Sequence, residues 1–163
     1  GDSKVAELFT QLGVQTEYGD ESVTIIKEGE IVKEFNYNFV NQPDLAQTFV
    51  VTCSLMNIPF RFTGLQSLKI KETDRIEALK KEMRKLGFVI KDSENSILSW
   101  EGERCTREEG AIDTYEDHLM AMAFAPASLK ISDLFINNPQ VVSKSYPRYW
   151  ENLQTVGFII KEE

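Results

Sequence analysis

A chain of 163 residues, 42% hydrophobic and 27% charged, has the size and balance of one globular domain with a single sizeable core, not of a disordered segment. The formal net charge of −8 argues against general nucleic-acid binding, which needs a basic surface, but is compatible with a small anionic ligand held beside local cations such as Lys69, Lys71 and Arg75. Two cysteines make no disulfide framework, no apolar run reaches the roughly 20 residues that span a bilayer, and Gly1-Asp2-Ser3 leads into a polar helix without a signal peptide; the expectation is a cytoplasmic protein, and the abrupt opening suits a piece of a longer one.

Val5, Leu8, Phe9 and Leu12 recur at helical spacing, with Gly13 read as the stop. Residues 14–18 and 23–27 read as strands joined by a turn at Gly19-Asp20, and residues 31–35 as a further strand. Pro43-Asp44 opens a helix running to Met56, proline being favoured in a first helical turn. A short strand follows over 58–63. The next helix carries Ile76, Leu79, Met83 and Leu86 on one stripe and ends at Gly87. Residues 88–91 and 97–100 read as strands across a turn at 93–95, a charged loop fills 101–110, and a helix runs from Asp117 to about Leu129. The remainder reads as a strand at 134–136, a helix over 149–156 ended by Gly157, and a last strand over 158–161.

Laid on itself with a shift of 73 positions, the chain matches Asp44 to Asp117, Phe62 to Phe135, Lys71 to Lys144 and Arg75 to Arg148. The sequence thus predicts two units, approximately 1–87 and 88–163, each burying its apolar face against a neighbour. Each unit sets an aspartate at one helix start and a lysine just before the next. Helix starts leave backbone N–H groups without intrahelical partners, so several aimed at one crevice form an anion site; lysine adds a point charge and Arg75 a bidentate fork. For Asp74, followed by Glu77, the stronger reading is a helix cap. Asp44 and His118, each at a helix start, would ordinarily be capping or hydrogen-bonded surface residues, and Lys144 and Arg148 solvated charges.

Four segments carry a family resemblance. Gly64-Leu65-Gln66-Ser67 with Lys71-Glu72-Thr73-Asp74-Arg75-Ile76 resembles the signature of the 5-enolpyruvylshikimate-3-phosphate synthases. Asp113-Thr114-Tyr115-Glu116-Asp117-His118 with Met120-Ala121-Met122-Ala123-Phe124 resembles their second signature, Val142-Ser143-Lys144-Ser145-Tyr146-Pro147 with Tyr149-Trp150 their C-terminal lysine motif, and Pro43-Asp44 their catalytic aspartate segment. The resemblance implies an α/β (α+β) fold of repeated βαβαββ units, this chain being part of the C-terminal lobe of a two-lobed inside-out α/β barrel whose N-terminal lobe is absent.

The implied reaction joins the enolpyruvyl group of phosphoenolpyruvate to the 5-hydroxyl of shikimate 3-phosphate and releases phosphate, with no metal or organic cofactor. By the motif match Asp44 is the acid/base at the reacting hydroxyl, Lys71 contacts that hydroxyl and the phosphoenolpyruvate side, and Glu72 handles the methyl proton. Arg75 clamps the phosphoenolpyruvate carboxylate, Lys144 its phosphate or the departing oxygen, His118 supports the phosphate end, and Ser67 is a substrate contact where many relatives carry asparagine. One departure stands out: Leu119 occupies a position where the signature has a second carboxylate-clamping arginine. Partners are thus the two substrates, without nucleic acid or membrane; the full-length enzyme is expected to be a monomer, the fragment to be inactive alone, with self-association through an exposed edge left open. The competing readings are the sibling transferase acting on UDP-N-acetylglucosamine, which lacks the Lys-Glu-Thr-Asp-Arg run, and a non-catalytic anion-binding lobe.

Overall fold

The structure, a computed structural model, describes residues 3–71 and 73–161. Helix α1 (Lys4–Thr10) leads into an antiparallel hairpin of β1 (Leu12–Tyr18) and β2 (Val23–Ile31). A four-stranded sheet follows in the order β3 (Phe35–Asn38), β4 (Phe60–Thr63), β6 (Ile97–Trp100) and β5 (Lys91–Ser93). Strands β3 and β4 run parallel because α2 (Ala46–Leu55), entered through a 3-10 turn at Pro43–Leu45, carries the chain back between them. Helix α3 (Arg75–Lys85) and α4 (His118–Phe124) complete the central layer, and α5 (Tyr149–Thr155) closes the described chain.

The main core lies where α2 and α3 meet the sheet. Phe35, Phe39, Phe49 and Phe62 are fully buried and meet edge-on or tilted at centroid distances of 5.0–5.8 Å, while Phe60 stacks on Phe62. Helix α2 is buried nearly all round, which places the Cys53 thiol inside and pushes its pKa up to about 12. A smaller cluster of Ala121, Ala125, Val141, Val142 and Tyr149 sits on the other side of α4. Helix α4 therefore stands between two cores, with Met120, Ala123 and Phe124 facing the first.

Helix α3 follows its sequence closely. Asp74 caps it by accepting from the Glu77 N–H at 3.2 Å, and Gly87 supplies the left-handed residue (φ +90°) after its end. Several other elements depart from the sequence reading. The first helix ends at Thr10, and Gly13 lies inside β1, where its φ of +77° serves a register shift against β2. Residues 31–35 are no strand: β2 ends at Ile31, the chain bends at 33–34, and pairing resumes at Phe35. Residues 88–91 make one bridge, Phe88 to Arg104, before pairing with β6 begins at Lys91. The helix expected to reach Leu129 tightens to a 3-10 turn at Ala125–Leu129, because Pro126 has no N–H to continue it. Residues 134–136 form only a parallel bridge, Ile112 to Ile136. Residues 158–161 pair with no strand among the described residues, and Ile159 is 88% exposed.

Gly64 sets the geometry leaving β4. At φ +75°, a Cβ built there would stand 2.2 Å from Asn38 Oδ1 and 2.6 Å from the Val40 nitrogen, both fixed by the turn they form. Gly64→Ala is expected to destabilise by about 1–3 kcal/mol, seen as a lower urea midpoint. Gly102→Ala, also at positive φ but with nothing within 4 Å, should lose less.

Candidate functional site

Arg75 is the first residue of α3, yet its side chain is only 2% exposed. Its Nε donates to Oδ2 of Asp117, which is 0% exposed, and its Nη1 donates to Oδ1 of Asp44 at 2.7 Å. Lys71 adds a second cation to Asp44, its Nζ 3.2 Å from Oδ1. Asp117 is held from its other oxygen: Oδ1 accepts the Leu119 N–H at 2.9 Å and so caps α4. Two carboxylates and two cations thus alternate from a buried end at Asp117 to an open end at Asp44 and Lys71.

Local structure explains why they meet. The 3-10 turn at Pro43–Leu45 leaves the Asp44 side chain half-exposed, within reach of Lys71 and Arg75. A second 3-10 turn, Gln66–Ile70, lies against the first, and Lys71 ends it in an extended conformation. Asp74 then starts α3, so that Arg75 enters the interior within one residue.

Of the residues singled out in the sequence, Asp44, Lys71 and Arg75 come together. Ser67 is half-buried in the Gln66–Ile70 turn, and Glu72 lies outside the described residues. His118 is half-buried at the first position of α4; Lys144 is exposed at the end of the 3-10 turn Pro139–Lys144, which packs on α4. Neither makes a hydrogen bond or ion pair to the Arg75 cluster among the described residues. Asp74 is the cap that its spacing with Glu77 suggested, although Glu77 turns to Lys80 (2.8 Å) instead of completing a box. Among the described residues no three His, Cys, Asp or Glu side chains converge as a metal site requires.

Two functional groups escaped the sequence reading. Asp117 entered it as a helix start, as the repeat counterpart of Asp44 and as part of the second signature, without a role of its own, and here it is the buried partner of Arg75. The second is a network around Glu82, which is 0% exposed and accepts from Tyr115 Oη at 2.6 Å and from the Asp113 N–H at 3.0 Å, with Lys85 Nζ at 2.7 Å. Its readable signal was a carboxylate on the apolar stripe of α3, between Leu79 and Met83. Burial, reinforced by the Glu82 carboxylate, pushes the Tyr115 pKa up, so the phenol stays a donor. Hydrogen bonds from Asn137 and Lys85 hold the Asp113 carboxyl below its usual 3.8.

A family model described as EPSP synthase (3-phosphoshikimate 1-carboxyvinyltransferase) matches residues 1–153. The chain is 60% identical over 162 residues to the 3-phosphoshikimate 1-carboxyvinyltransferase of Bacteroides fragilis, covering 99% of this chain and 40% of that protein. It is 34% identical over 151 residues to the protein of that name from Cellvibrio japonicus, covering 93% and 35%. A solved structure of EPSP synthase from Acinetobacter baumannii superposes with a TM-score of 0.76 over 98% of this chain and 40% of that one; at 22% identity this likeness gives the fold, that of the inside-out α/β architecture. The chain spans 40% or less of the length of these relatives.

Burial grades the two outer links of the cluster, Arg75–Asp117 and Lys71–Asp44. Asp117→Ala removes the buried partner of the Arg75 Nε and should cost about 3–5 kcal/mol, whereas Lys71→Ala severs a pair with a half-exposed carboxylate and should cost about 0–1 kcal/mol; denaturant unfolding of the two variants measures both. The depressed Asp113 pKa stabilises the fold above about pH 4 and that contribution is lost as pH falls through the folded value. Asp113→Asn should therefore flatten the acid limb of a stability-versus-pH curve while leaving its alkaline limb in place.

Proposed function

The chain belongs to the EPSP synthase family, and from that premise we propose that it supplies the C-terminal share of the active site of a 3-phosphoshikimate 1-carboxyvinyltransferase. The proposed substrates are phosphoenolpyruvate and shikimate 3-phosphate. The carrying observation is that three motif segments far apart in sequence converge: Asp44, the Lys71–Arg75 pair and Asp117 meet around one guanidinium. We further read the chain as two units, 1–87 and 88–163, within one lobe of a monomeric, cytoplasmic enzyme.

In this reading the 5-hydroxyl of shikimate 3-phosphate adds to C2 of phosphoenolpyruvate while the methylene carbon gains a proton. Phosphate then leaves as a methyl proton is removed. Asp44 is the acid/base at the hydroxyl. Its carboxylate already bridges two cations, Lys71 and Arg75. Lys71 lies on the open side, where it reaches both the hydroxyl and the phosphoenolpyruvate. Glu72 takes the methyl proton. Lys144 and His118 serve the phosphate end, and Ser67 is a contact for shikimate 3-phosphate.

Arg75 carries the ligand's carboxylate through the nitrogen that now holds Asp44. Its Nε is committed to a buried aspartate, whereas the Nη1 partner is a half-exposed one. A ligand carboxylate that competes for Nη1 releases Asp44 toward Lys71 and the hydroxyl. Binding of phosphoenolpyruvate thereby frees the base that acts at the hydroxyl.

Leu119 follows His118 at the head of α4 and is half-buried, placing an aliphatic side chain where the family signature has a cation. Loss of one partner of a desolvated charge pair costs about 2–5 kcal/mol, or roughly 30-fold to several thousand-fold in affinity. The reading is that this version binds phosphoenolpyruvate weakly.

Phosphate release from the two substrates tests the proposal. The full-length parent should turn over and Asp44→Asn in it should lose at least about 100-fold in kcat, while the isolated 163 residues should release none. Leu119→Arg in the full-length parent should lower the KM for phosphoenolpyruvate at least tenfold; unchanged KM and kcat would show that another cation already does that work.

A further inference from the structure

Arg75 and Glu82 are separated by two turns of α3, so both side chains leave the same face of the helix. Both are buried, at 2% and 0% exposure, and they carry opposite charge. Each grips one end of the same short segment, residues 113–117. Arg75 takes Asp117 at its far end, while Glu82 takes the Asp113 N–H and the Tyr115 hydroxyl at its near end. Lys85, one turn further on, bonds the Asp113 carboxylate at 2.9 Å and the Ala111 carbonyl at 2.8 Å.

The gripped segment is not relaxed. Tyr115 and Glu116 have φ of +55° and +57°, two successive left-handed residues that are not glycine. That conformation is sterically disfavoured for a side chain with a Cβ, so such a turn persists only where surrounding contacts over-determine it. Asp117 follows directly, and its N–H returns to the Thr114 carbonyl at 2.9 Å. The direction of the Asp117 side chain, and with it the start of α4 at His118, is therefore set by how this turn is held.

We propose that Glu82 is a positioning residue of the candidate site, which holds the left-handed turn at 115–116 so that Asp117 meets Arg75 and His118 stands at the head of α4. This rests on the catalytic reading above. Glu82 touches no substrate in that reading; it acts through Tyr115 and Asp113. A carboxylate suits the task because one oxygen accepts the phenol and the other the backbone N–H, while Lys85 balances the charge. Glutamine can keep an acceptor for Asp113 and a partner for Tyr115, whereas leucine keeps neither.

The test uses the full-length parent with Tyr115→Phe, Glu82→Leu and Glu82→Gln. Steady-state phosphate release is read together with amide hydrogen exchange at Leu119, beside Asp117, and at Val50 and Val51 in the core of α2. Tyr115→Phe and Glu82→Leu should lower kcat at least tenfold with the KM for shikimate 3-phosphate within threefold, and Glu82→Gln should recover most of what Glu82→Leu loses. Exchange at Leu119 should quicken at least tenfold in the first two variants while Val50 and Val51 stay within twofold. A kcat unchanged per folded molecule, or exchange rising equally at all three amides, overturns the proposal. If Glu82→Leu does not fold, Tyr115→Phe, which removes one oxygen and leaves the ring, carries both readouts. If the wild-type parent turns over neither substrate, the catalytic reading fails by itself, and the exchange comparison alone decides whether Glu82 positions the turn.

Discussion

The buried ion pair between Arg75 and Asp117 is the constraint around which the rest of the molecule is arranged. Taking both charges out of water is costly, and their attraction offsets that cost only where the geometry is good and their remaining polar atoms are bonded. Those conditions reach outward through the fold. Arg75 must begin α3, Asp117 must begin α4, and the two helix starts must be brought side by side by the sheet and by α2. Asp44 and Lys71 then extend the pair toward solvent, where charge becomes available to a ligand.

Electrostatics and packing share the work unevenly. The aromatic core under the sheet supplies non-directional burial that fixes α2 and α3 in place, each phenylalanine contributing on the order of 1.5–3 kcal/mol. It does not choose the direction of any polar side chain. That choice falls to caps and turns: Asp74 at α3, Asp117 at α4, the 3-10 turn before α2 and the left-handed pair at 115–116. The site is therefore precise where these short devices meet, and among the described residues it opens at Asp44 and Lys71.

Much of this could be read in the chain itself. The α3 stripe, its Asp74 cap and Gly87 are local features, and local features follow from side-chain spacing. The 73-residue shift brought Asp44, Asp117, Lys71 and Arg75 into one pattern before any contact was known. Other features depend on partners that no local pattern names. Residues 88–91 and 158–161 have strand-like composition, but a strand exists only when a neighbour accepts its hydrogen bonds. Tyr115 gave no hint of a positive φ, because tyrosine adopts one only when something else holds it. Arginine at a helix start reads as a solvated clamp; its burial between two aspartates follows from the tertiary fold.

The division of the apolar interior into two clusters has a consequence for how the molecule comes apart. The cluster of Ala121, Ala125, Val141, Val142 and Tyr149 has far fewer buried members than the main core and rests on the outer side of α4, while Leu129, Phe135 and Val156 remain exposed. Regions with few buried apolar contacts open locally at a fraction of the global free energy. The C-terminal turn and α5 can thus detach as a unit, carrying Lys144 away, while Met120 and Phe124 keep α4 seated on the deeper core and Asp117 in its place. The chain is divided by its own packing into a durable part that holds Asp44, Arg75 and Asp117 and a looser part that carries Lys144.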